Sequence, residues 1–198
     1  KQEYLNLKFK ISKISEILKL SAPLIPHVLG GVVIAVSDRF FIEKIVGIEA
    51  VAIYSVAYSF GLLVSLFTDS FVKAWSPWFY EQLADITLKK KFLIVKLTYA
   101  YTFSVFIVAY LIYLISINIL PIIIDKRYAE AVNYIWWIAL GYAVYGIYKI
   151  LYHYLLHINK TTFLALSTSL AAIINLFLNY FFVNKYGIIG AAYATAIA

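Results

Sequence analysis

Asp38 and Arg39 stand side by side in VSDRFF, residues 36–41, at the end of a run from Leu18 to Phe41 that is otherwise almost wholly apolar. Ionisable side chains inside such a run are expensive and mark polar interiors, ion paths or substrate sites. Arg39 offers a planar fork that suits phosphate or carboxylate. Asp38 can hold that fork in place or couple to an ion, and an interfacial pair with partners on other helices is the plainer reading. Neighbours on a helix point about 100° apart, so the two need not bond each other. Asp69 and Lys73 lie four apart, within reach on one helix. Lys149 stands inside a later apolar run, close enough to snorkel to its end. Tyr145, Tyr148 and Tyr152 stack on one helical face at spacings of three and four; they suit a wet cavity lined by hydroxyls and equally suit helix packing. His153 and His157 have the spacing of metal ligands but no carboxylate near them in sequence, so no metal site is expected. With no nucleophile elbow, phosphate-binding Gly loop, HExxH or paired carboxylates, the residues point to binding rather than catalysis, with no cofactor.

Those residues must be held by something, and the composition says what. The 198-residue chain is 64% hydrophobic and 14% charged, with mean hydropathy +0.86. Globular domains average about 45–50% apolar and about 25% charged, and they rarely expose apolar patches beyond a few hundred Å². The chain therefore belongs in a bilayer. A backbone there must be satisfied internally, in helices or a closed barrel. Barrel strands alternate over about ten residues, whereas LIVKLTYAYTFSVFIVAYLIYLISINIL is one continuous run. The expected fold is an all-α, polytopic transmembrane bundle in a single domain over 1–198. Its helices are expected near 19–42, 50–83, 92–120, 131–157, 162–183 and from 187 onward. The chain starts with Lys, lacks Met and ends inside an apolar run, so it reads as a piece of a longer protein. KQEYLNLKFKISKISE is too polar for a signal-peptide core.

Net charge is +7, yet the lysines sit in short gaps between apolar runs, where they set topology rather than bind nucleic acid. Lys8, Lys10, Lys13 and Lys19, then Lys89, Lys90, Lys91 and Lys96, then Lys160 gather in the N-terminal flank and the even gaps. The odd gaps hold Lys44, Lys126 with Arg127, and Lys185, partly offset by acids. The flank and even gaps are thus expected in the cytoplasm. Trp75, Trp78 and Tyr80, and Trp136 and Trp137, are expected in interfacial belts, with sugar stacking as the second use of such rings. Deeper tyrosines such as Tyr54 and Tyr101 need hydroxyl partners. His27 and the later histidines suit helix ends through the dipole. Pro77 should kink or end its helix, and Pro23 and Pro26 bend or start theirs; such breaks suit a protein alternating between two openings.

SAPLIPHVLGGVVIAVSDRFFIEKIVGIEAVAIYSVAYSFG followed by FVKAWSPWFYE resembles the Wzx-type lipid-linked oligosaccharide flippases of the MATE-like superfamily. The tail NKYGIIGAAYATAIA, a polar turn then G-x-x-G-A-A, is similar to a pattern common in that superfamily. The resemblance implies two lobes of about six helices each around a central cavity that opens to each side in turn. The S-D-R-F-F element would open the second lobe, making this chain most of the C-terminal lobe, with the N-terminal lobe as its partner. It implies a bacterial or archaeal cytoplasmic (inner) membrane. The implied substrate is an undecaprenyl-pyrophosphate-linked oligosaccharide, moved outward and passed to polysaccharide polymerase machinery. Arg39 would meet the pyrophosphate, with Lys73 and Lys149 as weaker candidates. A multidrug or cation antiporter of the same superfamily is the alternative; it would favour acids over bases inside the lobe. A membrane-embedded polymerase or ligase would need a large outer loop, which the short gaps argue against, and a non-transporting scaffold would not need charges and prolines inside the spans.

Overall fold

The computed structural model describes residues 11–198, so Lys8 and Lys10 lie outside it. Among the described residues seven α-helices follow one another: α1 Ile11–Ser21, α2 Leu24–Ile45, α3 Ile48–Ala84, α4 Leu88–Ile123, α5 Val132–His157, α6 Thr161–Tyr186 and α7 Ile188–Ile197, with a 3-10 turn at Lys126–Ala131 before α5. No strand occurs among the described residues. Five of the helical stretches are long and apolar enough to cross a membrane, and the fold is a polytopic transmembrane bundle.

The helices run further than the apolar runs alone suggested. At about 1.5 Å per residue, the 37-residue α3 is about 55 Å long, well beyond a hydrocarbon core of about 30 Å. The first expected helix is in fact two, because the chain turns at Ala22 and Pro23. Pro23 occupies the N-cap of α2 with φ −65°, and Pro26 falls in its first turn, where a missing N–H has no helical acceptor to forgo. Pro77 does not end α3, which continues to Ala84, and Pro121 likewise sits inside α4.

α5 is the central post, packed against α3, α4 and α7, while α2 packs chiefly on α6. One core cluster joins Ile42, Tyr54, Leu120, Ile135, Ile138 and Val183; a second, toward the other end, joins Val64, Trp75, Phe79, Tyr101, Val105 and Ile150. Trp75 is therefore a core residue, stacked on Phe71 and Phe79, and not part of an interfacial belt. Trp136 packs on Tyr110 and Tyr113, and Trp137 on Tyr193. The periphery carries Val28, Leu29 and Val32 of α2 and Phe92, Phe103 and Ile122 of α4, the apolar coat that lipid requires.

Close crossings rest on small residues, as membrane helices require. A Cβ at Gly61 would meet Ile138, and one at Gly146 would sit 3.0 Å from Thr68 Cβ and 3.1 Å from Tyr101 Oη. The α6–α7 reversal is the tightest. Gly187 turns it at φ +67°, and a Cβ on Gly190 would fall 2.8 Å from the Val183 nitrogen and nearer still to the Phe182 carbonyl. Because that obstacle is backbone, Gly190→Ala is expected to lower the thermal midpoint of the purified full-length protein by several degrees, an overpacking cost of about 1–3 kcal/mol. An unchanged melt would show that α7 is free to move away from α6.

Candidate functional site

Asp38 is fully buried near the C-terminal end of α2. Its Oδ2 accepts hydrogen bonds from Tyr54 of α3 at 2.7 Å and Thr195 of α7 at 2.6 Å, and its Oδ1 accepts from Asn179 of α6 at 2.8 Å. One carboxylate thus ties four helices together. Beside it, Ser37 donates to Asn175 Oδ1 at 2.6 Å, and Asn179 Nδ2 also reaches that oxygen at 3.1 Å. Asn175 Nδ2 and Asn179 Oδ1, both buried, have no partner among the described residues. Charge-assisted bonds are the strong ones, yet no cation hydrogen-bonds Asp38 among the described residues. A buried charge without its counter-ion is held at a cost, offset here by three donors.

Arg39 points elsewhere, so the reading of Asp38 as the residue that holds its fork is wrong. The guanidinium lies 4.2 Å over the Tyr58 ring, with Nη1 donating to the Ala35 carbonyl at 3.1 Å and Nε to Ser55 at 3.4 Å. The Nη2 edge has no hydrogen bond among the described residues. The divergence follows from helical geometry: consecutive side chains point about 100° apart, so when Asp38 enters the core Arg39 must leave it.

Tyr58 meets Tyr142 of α5 at 5.5 Å between ring centroids, and along the same face of α5 come Tyr145, Tyr148, Lys149 and Tyr152. Lys149 Nζ bonds Asp69 Oδ1 at 2.5 Å, approaches Ser65 at 3.4 Å and lies 4.6 Å over the Tyr145 ring. The expected Asp69–Lys73 contact is not formed; Lys73 is exposed. An i,i+4 pair on a helix surface contributes only a few tenths of a kcal/mol. The Lys149 side chain is only 17% exposed, so leaving it unpaired is the dearer option, and it captures Asp69 across the helices. Asp69→Asn and Lys149→Gln are each expected to lower thermal stability slightly, and the double variant no further than the worse single. Strict additivity in that cycle would mean the two do not interact.

His27 joins this face from α2. Its Nδ1 lies 2.7 Å from Thr168 Oγ1 of α6, and its ring stacks on Tyr152 at 5.3 Å. Tyr148 Oη is 3.4 Å from the same threonine hydroxyl. On another flank of α5, His153 Nε2 is 2.8 Å from Ser76 Oγ. Arg39, Lys149 and Asp69 share one strip with half-buried tyrosines, and charges do not face acyl chains. The strip is therefore a polar surface of the bundle, open along its length. Two clefts lie elsewhere, one beside Lys89, Phe92 and Lys96 and one beside Trp137 and Tyr193.

Residues 3–82 match the family model described as polysaccharide biosynthesis protein. The matched stretch carries Asp38, Arg39, Tyr54, Tyr58, Asp69 and Lys73; Tyr145, Tyr148, Lys149, Tyr152, Asn179 and Thr195 lie beyond it. No curated protein and no solved structure matches the chain. The match supports a part in polysaccharide biosynthesis or transport.

Proposed function

We propose that this chain is one lobe of a flippase. It moves an undecaprenyl-pyrophosphate-linked oligosaccharide repeat unit from the cytoplasmic to the outer leaflet of a bacterial or archaeal cytoplasmic membrane, by alternating access and without covalent chemistry. The observation that carries this reading is a polar strip, bearing Arg39, Lys149 and tyrosine hydroxyls, on the face of a bundle whose periphery is largely apolar. Arg39, whose Nη2 has no hydrogen bond among the described residues, and Lys149 receive the pyrophosphate, a bidentate partner that guanidinium geometry fits. An N-terminal lobe of the same protein closes the strip into a cavity, and polysaccharide polymerase machinery takes the product outside. The lysine-rich end, with Lys19, Lys89, Lys90, Lys91 and Lys160, faces the cytoplasm.

Asp38 supports coupling to an ion gradient: a buried carboxylate with neutral hydrogen-bond donors and no ion pair among the described residues is a group that a proton or alkali cation would neutralise. The same observation favours a second reading, a cation or multidrug antiporter. A polymerase or ligase finds little support, since Val46–Gly47 and Gly187 are the whole of two connections at the lysine-poor end.

Deleting the full-length gene in its host separates these readings. Loss of surface polysaccharide, restored by the wild-type gene, supports the flippase. Intact polysaccharide with raised drug sensitivity would replace it with the antiporter.

A further inference from the structure

Around the Lys149–Asp69 pair the polar strip presents aromatic rings and hydroxyls. Along α5, from the lysine-poor end, it presents Tyr145, Tyr148, Lys149 and Tyr152, with His27 of α2 and Thr168 of α6 beside Tyr148 and Tyr152. Tyr145 is 49% exposed although α5 is otherwise the central post of the bundle. Its ring and that of Tyr148 are nearly parallel, 18° apart with centroids 6.0 Å apart, and His27 and Tyr152 repeat the arrangement at 18° and 5.3 Å. Tyr145 to Tyr152 is seven residues, about 10 Å of helix.

These groups sort the possible occupants. A phosphate would need the cations, Lys149 and Arg39, rather than the rings and hydroxyls. An acyl chain would leave the hydroxyls and imidazole facing hydrocarbon, an expensive arrangement. A sugar fits both aspects: its C–H faces lie against aromatic rings, and its hydroxyls find Tyr148, Tyr152, Thr168 and His27, the mixture of ring faces and a few placed polar groups that marks small-molecule sites. The Thr168–His27–Tyr148 contacts fix the rings from two other helices, so the surface is built before any ligand arrives.

We infer that Tyr145, Tyr148 and Tyr152 of α5, with His27 and Thr168, form the glycan subsite of this lobe. It takes the sugars nearest the pyrophosphate while Lys149 and Arg39 take the pyrophosphate itself. This inference rests on the flippase reading and adds a division of labour to it.

The test uses the full-length protein in nanodiscs and two probes: the host's own lipid-linked repeat unit, purified, and bare undecaprenyl pyrophosphate. Tyr148→Leu and Tyr152→Leu are each expected to weaken binding of the glycosylated probe by about tenfold, the scale of a lost ring contact, and to leave the bare probe unchanged. Tyr148→Phe keeps the ring and should lose less. Arg39→Ala should weaken both probes. If the leucine variants affect both probes alike, or neither, the glycan subsite is wrong while pyrophosphate recognition stands. If the wild type binds neither probe, the flippase reading itself falls, and the subsite with it.

Discussion

Arg39→Ala in the full-length protein is expected to abolish rescue of surface polysaccharide at unchanged membrane abundance. The structural loss is small: the guanidinium rests on the Tyr58 ring and donates to Ala35 and Ser55 at the edge of the strip, outside both core clusters. A cation–π contact of this kind contributes about 0.5–1 kcal/mol where exposed. The functional loss is larger, because removing one partner of a desolvated charge pair costs about 2–5 kcal/mol, or roughly 30-fold to several thousand-fold in affinity. Arg39→Lys should fall between, keeping the charge and losing the bidentate fork. Quantitative immunoblotting of the membrane fraction beside the polysaccharide assay checks both halves. Full rescue by Arg39→Ala would remove Arg39 from the substrate path.

Asp38 predicts a different pair of outcomes. Asp38→Ala strips Tyr54, Thr195 and Asn179 of one acceptor at once, each on a different helix. A buried donor left unsatisfied costs about 1–3 kcal/mol, so the alanine variant is expected to melt far below wild type and to reach the membrane poorly. Asp38→Asn retains a carbonyl for Tyr54 and Thr195, and Asn179, whose Oδ1 has no partner among the described residues, can turn it toward the new amide. The asparagine variant should fold, transport slowly and lose its dependence on an imposed ion gradient. Thermal melts of both variants, with transport measured at and without a gradient, decide the matter. An alanine variant as stable as wild type would mean that the carboxylate does not organise the four helices.

The bundle itself was legible because apolar runs of membrane length are a strong signal, and the alternation of lysine-rich and lysine-poor gaps follows the same chain order as the helices. Helix ends were less so: charged residues such as Lys89, Lys90 and Lys91 extend α4 backward beyond its apolar run, since a helix does not stop where hydrocarbon does. Arg39, Lys149 and the α5 tyrosines were visible as polar residues out of place in apolar runs, at spacings that put them on a face. Their partners were not. Lys73 was the nearer base to Asp69 in sequence, but burial of Lys149 across the helices decides the pairing. Tyr54, Asn179 and Thr195 converge on Asp38 from positions up to 157 residues apart, which no local pattern reports. Asn175 and Asn179, four apart in AAIINLFLNYFF, carried a signal that went unread: two amides on one face of an apolar helix need a polar neighbour.

If the Arg39–Lys149 strip carries a lipid-linked oligosaccharide across the bilayer, translocation in vesicles measures it directly. The full-length protein is reconstituted into liposomes loaded on one face with the purified lipid-linked repeat unit, and appearance of the glycan on the other face is followed with a membrane-impermeant lectin. The account predicts rapid appearance with wild type, and the slow rate of protein-free vesicles with Arg39→Ala. Equal rates in wild-type, Arg39→Ala and protein-free vesicles would contradict it.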